Sequence, residues 1–252
     1  MNDEITPLVV VVTGAGSGIG KAVAIRMLAA GHRVVLAGRR EEPLRVTADG
    51  SPQEMVEPTD VTVPEQVNRL FSRAVERWGR VDLLFNNAGV PGPSAGVDEI
   101  EPEDWDAVVA LNLTAAAMCA RAAMNVMKAQ QPQGGRIINN GSIAAHTPRP
   151  QSVAYTATKH AITGLTKSIE LDGRAHGISC GQIDIGNTAT ELADRFSTGP
   201  GALQPDGRRM QEPTFPVEEA ARAVQFMAET PMSANVFSLV ITAAGMPFVG
   251  RG

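Results

Sequence analysis

Tyrosine is almost missing from this chain. Among 252 residues there is one, Tyr155, beside seven phenylalanines and two tryptophans. Cysteine is nearly as scarce: Cys119 and Cys180 stand far apart, with no CxxC pair and no Cys/His spacing. That excludes a zinc ribbon or a disulfide framework and leaves two small buried hydrophobes. No metal site is expected. Basic runs never exceed Arg39-Arg40 or Arg208-Arg209, and the net charge is −5. Such a balance argues against a nucleic-acid footprint and against an anionic membrane surface. The longest apolar run near the start, Leu8 to Val12, falls far short of the ~20 residues that cross a bilayer, and no charged-then-apolar leader precedes it. A cytoplasmic protein is expected. Internal repeats and low-complexity linkers are also lacking, so residues 1–252 are expected to form one domain.

What is present is a rhythm. Hydrophobic residues at 43% and charged residues at 19% are ordinary for a globular chain. Short β-branched runs at Leu8–Thr13, Arg33–Ala37, Met55–Glu57, Val81–Asn86, Arg136–Asn140, Ile178–Ile183 and Asn235–Thr242 read as strands. Most lack polar alternation, as parallel strands buried on both faces do. Helical patterns separate them. Val67, Leu70, Phe71, Ala74, Val75 and Trp78 form a stripe of period 3.6 that begins after Pro64. Trp105 to Met127 reads as one long helix and Ser152 to Ala175 as another. The expected fold is α/β: a doubly wound parallel sheet of about seven strands, order 3-2-1-4-5-6-7, with helices on both faces. The Gly- and Pro-rich segment 187–216 breaks the rhythm after the sixth strand. Its position at the carboxyl edge of the sheet suggests a substrate lid.

"VVVVTGAGSGIGKAV" joins the first strand to the first helix through Gly14, Gly18 and Gly20. A tight turn, close backbone approach and a helix N-terminus together suit a pyrophosphate. Gly14, Ser17, Gly18, Ile19 and Gly20 are therefore candidate cofactor contacts. At the end of the second strand an NAD site normally offers a carboxylate to the adenosine ribose. This chain has Gly38, then Arg39 and Arg40. A guanidinium there suits a 2′-phosphate, which favours NADP(H) over NAD(H); two solvated arginines at a helix start fit the same residues. Asp60 and Val61 follow the third strand, where the carboxylate could accept from an adenine amino group or simply sit at a helix N-terminus.

Further along come "NNAG" at Asn86–Gly89, Asn112 on the long helix, Ser142 after the fifth strand, and Tyr155 four residues before Lys159. In this order, and over essentially the whole length, these motifs resemble the short-chain dehydrogenase/reductase family. Residues i and i+4 share a helix face, so Tyr155 and Lys159 point the same way. A free phenol titrates near ~10, and a neighbouring ammonium favours the phenolate. That suits Tyr155 as acid–base group for a carbonyl or secondary-alcohol substrate, with NADP(H) or NAD(H) carrying the hydride. Lys159 would also reach the nicotinamide ribose.

The resemblance implies further roles. Ser142 would bind the substrate oxygen beside Tyr155, and Asn112 would hold a helix kink and a water in a proton relay. Taken singly, Ser142 is an ordinary loop serine and Asn112 a residue bonding its own helix. Asn86, Ala88 and Gly89 would line the cofactor. Gly186, Thr188 and Thr190 would follow, although Ile185 replaces the family's proline. A dimer or tetramer built on the long helices and last strand is implied, while the alanines of Thr114–Ala123 could equally face the sheet. "PGPSAG" and "AAHTPRP" should border the pocket, with His146 a wall or surface residue. A non-catalytic NADP(H)-binding redox sensor uses the same cleft, and an isomerase or lyase the same tyrosine.

Overall fold

A computed structural model of the chain describes residues 7–190 and 201–249. The first strand, β1 (Val9–Thr13), is buried along its whole length and lies inside the sheet, paired on both sides. Around it run β2 (Arg33–Gly38), β3 (Glu54–Pro58), β4 (Leu83–Asn86), β5 (Gly135–Asn140), β6 (Ile178–Ile185) and β7 (Ser238–Ile241). All pairings in this sheet are parallel, and the order across it is 3-2-1-4-5-6-7. The direction of winding reverses between β1 and β4. That switch point opens a crevice at the carboxyl ends of the strands, where ligands of such sheets bind.

Alternate residues of each strand feed opposite faces. Val11, Val35, Leu84 and Ile137 meet the stripe of α3 (Pro64–Trp78) together with α5 (Ala115–Ala129). Val10, Val12, Leu36 and Phe85 meet α1 (Gly18–Ala29), α2 (Glu41–Ala48) and α7 (Val217–Glu229). The alanines of α5 belong to the first of these cores: Ala115, Ala120, Ala122 and Ala123 are buried against it. These four face inward. Buried Arg136 on β5 donates to the carbonyls of Met227, Ala228 and Thr230 and so closes the C-terminus of α7. The short second crossover ends as its sequence suggests, with Asp49 and Gly50 both at positive φ.

The long helix is present with its irregular turn at Asn112, and the end of one strand is revised. In the helix, α4 (Pro102–Val109) passes through a π turn at Ala110–Thr114 before α5 begins. Taken whole, Pro102–Ala129 is long and apolar enough to cross a membrane, but its apolar side is spent on the core. The sixth strand runs on to Ile185, in register with Ile241 of β7. Gly186 N–H then donates to the Ile241 carbonyl at 2.8 Å, and the Ile185 side chain is buried.

Candidate active site

The glycine turn is built as its sequence suggests. Gly14 and Gly18 have φ of 68° and 50°, a region that glycine enters without strain. A Cβ at Gly20 would run into the Gly14 carbonyl oxygen. Ser17 makes no side-chain capping bond, which leaves the first N–H groups of α1 to an anion. Thr13, unremarked in the sequence, locks the neighbouring turn: its Oγ1 accepts from the backbone N–H of Asn87 at 2.9 Å and of Ala88 at 3.0 Å.

Asn86 turns inward. Its Nδ2 donates to the Ala116 carbonyl at 2.8 Å and to Asn139 Oδ1 at 3.1 Å, so both of its amide donors are spent inside the protein. Asn87 takes the exposed part instead, bonded to the Thr13 carbonyl and accepting from Asn140 Nδ2. Asn112 sits in the π turn and bonds across it, not to its own helix. Its amide exchanges two 2.8 Å hydrogen bonds with the main chain of Val90 and reaches Thr158 Oγ1 at 3.4 Å. The loop after β4 is thereby tied to α6 (Val153–Gly173), and Gly89 must be small because Asn112 Oδ1 lies against it.

Tyr155 and Lys159 occupy one face of α6. Lys159 Nζ is 5.5 Å from the Tyr155 ring centroid and donates to the Asn140 carbonyl at 2.6 Å. Ser142 follows β5, and its Oγ accepts from the Ala144 N–H at 3.1 Å, which frees its hydroxyl hydrogen to point elsewhere. A cavity of about 670 Å³ opens here. It brings together Ser142 and Tyr155, Ile19 of the glycine turn, and Gly186, Thr188 and Thr190 after β6. Thr190 faces Gly18 across the cleft: a Cβ at Gly18 would lie 3.7 Å from its Cγ2. His146 does not line this cavity; it bonds Asp184 at 2.7 Å.

The other end of the crevice is looser. Arg39 and Arg40 are exposed beyond β2. Asp60 is engaged locally: its Oδ1 accepts from the Thr62 hydroxyl at 2.6 Å and the Thr62 N–H at 3.0 Å, ahead of α3. Those bonds, with a smaller contribution from Arg39, hold its carboxyl below the usual value. Val61 is buried in the core, so it too could offer only its backbone. Of the supposed lid, residues 191–200 lie outside the described residues. The remainder includes a short antiparallel ladder, Ala202–Leu203 with Arg209–Met210, and the pairing of Phe215–Pro216 with Thr188–Ala189. Buried Glu212 anchors it, bonded by Arg149, Asn187 and Gln204. Sequence patterns gave no sign of that cluster, since its members are scattered over more than sixty positions.

A dinucleotide fits what is present. The turn brings bare backbone and a helix N-terminus to the crevice, and the cavity continues from Ile19 to Tyr155. Asn140 Oδ1 is buried on the same wall and has no hydrogen-bond partner among the described residues, an acceptor that a ligand hydroxyl or amide could satisfy.

Comparison with known proteins agrees. Residues 8–200 match the family model described as short chain dehydrogenase. A 3beta-hydroxysteroid dehydrogenase of Mediterraneibacter gnavus is 39% identical over 194 residues, 75% of this chain and 69% of that protein. The 3-ketoacyl-(acyl-carrier-protein) reductase of Brucella melitensis, solved with NADH, is 25% identical with a TM-score of 0.83, covering 94% of this chain and 98% of the other. ElxO, solved with NADP bound, is 26% identical with a TM-score of 0.82 over the same shares.

Proposed function

Since the chain belongs to the short-chain dehydrogenase family, we propose that it reduces a carbonyl, or oxidises the matching secondary alcohol, with Tyr155 as its acid–base group. Its relatives and structural neighbours are dehydrogenases and reductases that use nicotinamide cofactors, and its substrate is a small molecule. The observation that carries the reading is the convergence of Ser142, Tyr155 and the glycine turn on one cavity, with Lys159 behind the phenol.

The cofactor, when bound, supplies or accepts the hydride. Gly14, Ser17, Gly18, Ile19 and Gly20 would hold its phosphates, and Ala88 and Gly89 would give it room. Thr188 and Thr190, beside Gly186, would meet the nicotinamide end. Ser142 donates its free hydroxyl hydrogen to the substrate oxygen. Tyr155 gives that oxygen a proton in reduction and takes one in oxidation. The Lys159 ammonium lies beside the phenol ring and keeps donors for the ribose. Asn112 sustains a relay from Lys159 toward solvent. Arg39 and Arg40, with glycine where a carboxylate would reject a phosphate, support a preference for NADP(H). Within the segment 187–216, the described residues 187–190 and 201–209 contribute to the cavity wall and act as part of a lid over the substrate.

We further read the chain as a single catalytic domain, cytoplasmic, that assembles into a dimer or tetramer. Strand β7 is an open sheet edge, and Val240 on it and Phe237 just before it are exposed. The test is a panel of ketones and secondary alcohols run with NADPH and NADH. Tyr155→Phe should lower turnover by ~10²–10⁴-fold while NADPH still binds by fluorescence. A Tyr155→Phe protein with undiminished turnover would overturn the reading.

A further inference from the structure

A carboxylate lies beneath Ser142 that hydride transfer does not itself require. Asp184, on β6, is 1% exposed. Its Oδ1 accepts from the Ser142 backbone N–H at 2.9 Å and from Gln182 Nε2 at 2.7 Å, and its Oδ2 is 2.7 Å from His146 Nε2. Ser142 and His146 belong to the loop after β5, and Gln182 to the same strand as Asp184. Gln182 also donates to Thr163 and accepts from Thr166, both on α6, the helix that carries Tyr155 and Lys159. His146 is 42% exposed and sets its ring edge-on to Phe248, 6.0 Å away between centroids.

The residue before the serine confirms that space is reserved here. A Cβ on Gly141 would fall within the Asp184 carboxylate. The loop has given up a side chain so that the carboxylate can reach the 141–142 peptide. A buried carboxylate is tolerable only when its acceptor sites are filled, and here three N–H groups fill them.

On the carbonyl-reduction reading above, we propose that Asp184 is a positioning residue for Ser142, braced by His146. The carboxylate fixes the peptide from which the Ser142 side chain springs. Ala144 then occupies one lone pair of the hydroxyl, and the hydroxyl hydrogen is aimed into the cavity. The Asp184–Gln182–α6 connection holds the serine and the tyrosine in one frame. Asparagine at 184 can keep this geometry: its Oδ1 accepts from Ser142 and Gln182, and its Nδ2 can donate to a neutral imidazole nitrogen. Alanine cannot, and leaves three donors without an acceptor.

The test uses the full chain with NADPH. Asp184→Ala should lose ~10–10²-fold in kcat, as a misaimed reacting group does, with NADPH affinity within about twofold of the parent. Asp184→Asn should restore kcat to within about threefold of the parent. His146→Ala should give a smaller loss in kcat, again with NADPH binding kept. A purely structural role would lower stability and leave kcat per folded site unchanged. The hydrogen bond is also read without turnover, from the Ser142 amide proton in ¹⁵N-serine-labelled protein, assigned by its disappearance in Ser142→Ala. A charge-assisted bond holds that resonance downfield, and Asp184→Asn should move it upfield. Should no ketone be turned over by the parent, the reduction reading fails alone and the amide shift still decides the hydrogen bond. If Asp184→Ala does not fold, Asp184→Asn and His146→Ala carry the comparison. An unmoved Ser142 amide in Asp184→Asn, or parental kcat in folded Asp184→Ala, overturns the proposal.

Discussion

Lys159 Nζ donates a 2.6 Å hydrogen bond to the carbonyl oxygen of Asn140, the last residue of β5. The ammonium is thus pinned between the sheet and α6, at 5.5 Å from the Tyr155 ring centroid. One of its three N–H groups is spent on structure, and the others remain for chemistry.

Replacing Lys159 with methionine should therefore cost twice. The Asn140 carbonyl loses its donor in a nearly buried place, for a stability loss of about 1–3 kcal/mol. Turnover should fall by ~10²-fold or more, because the cation beside the acid–base group and its donors to the ribose are gone. Calorimetry and steady-state kinetics on the same preparation separate the two. A variant that loses stability but keeps kcat would mean that the lysine is a strut only.

The two thiols should be silent in the native protein. Both are buried, and burial pushes Cys119 up to about 12. Cys180 is raised further, by burial first and then by the charge of Glu170. At pH 8 neither offers appreciable thiolate, so an aromatic disulfide reagent should find no fast-reacting sulfur until guanidinium is added, and then two. One rapid equivalent in native protein would place a thiol at the surface.

The sheet was legible because burial on both faces leaves unbroken β-branched runs, and all seven strand candidates lie in it. Their limits were less so. The sequence places the last strand over eight residues, but only Ser238–Ile241 pairs, as one partner strand is all a sheet edge offers. The Tyr155/Lys159 pair was readable because helical spacing alone sets it. Asp184 was not: it touches Ser142 and His146, about forty positions away, and no local pattern encodes a contact of that range. Asn86 was legible as part of a turn, but not the direction of its side chain, whose amide donates to Ala116 and Asn139. A motif locates a turn without saying which way each side chain faces.

Asp60 gives the acid limb of stability a definite sign. Its carboxyl is held below the ordinary value chiefly by the Thr62 hydroxyl, then by the Thr62 N–H, with Arg39 a smaller cause. A depressed carboxyl stabilises the folded state at pH above its unfolded value near ~3.9, and the benefit is lost as pH falls through the lower folded value. Asp60→Ala should accordingly be less stable than the parent at pH 7, by no more than ~1 kcal/mol since the group is partly solvated. The gap should narrow as urea titrations are repeated toward pH 3. Thr62→Val, which removes the leading cause and leaves the charge, should reproduce part of the narrowing. A gap of equal size at both pH values would assign the effect to the shape of the turn and not to the carboxylate's charge.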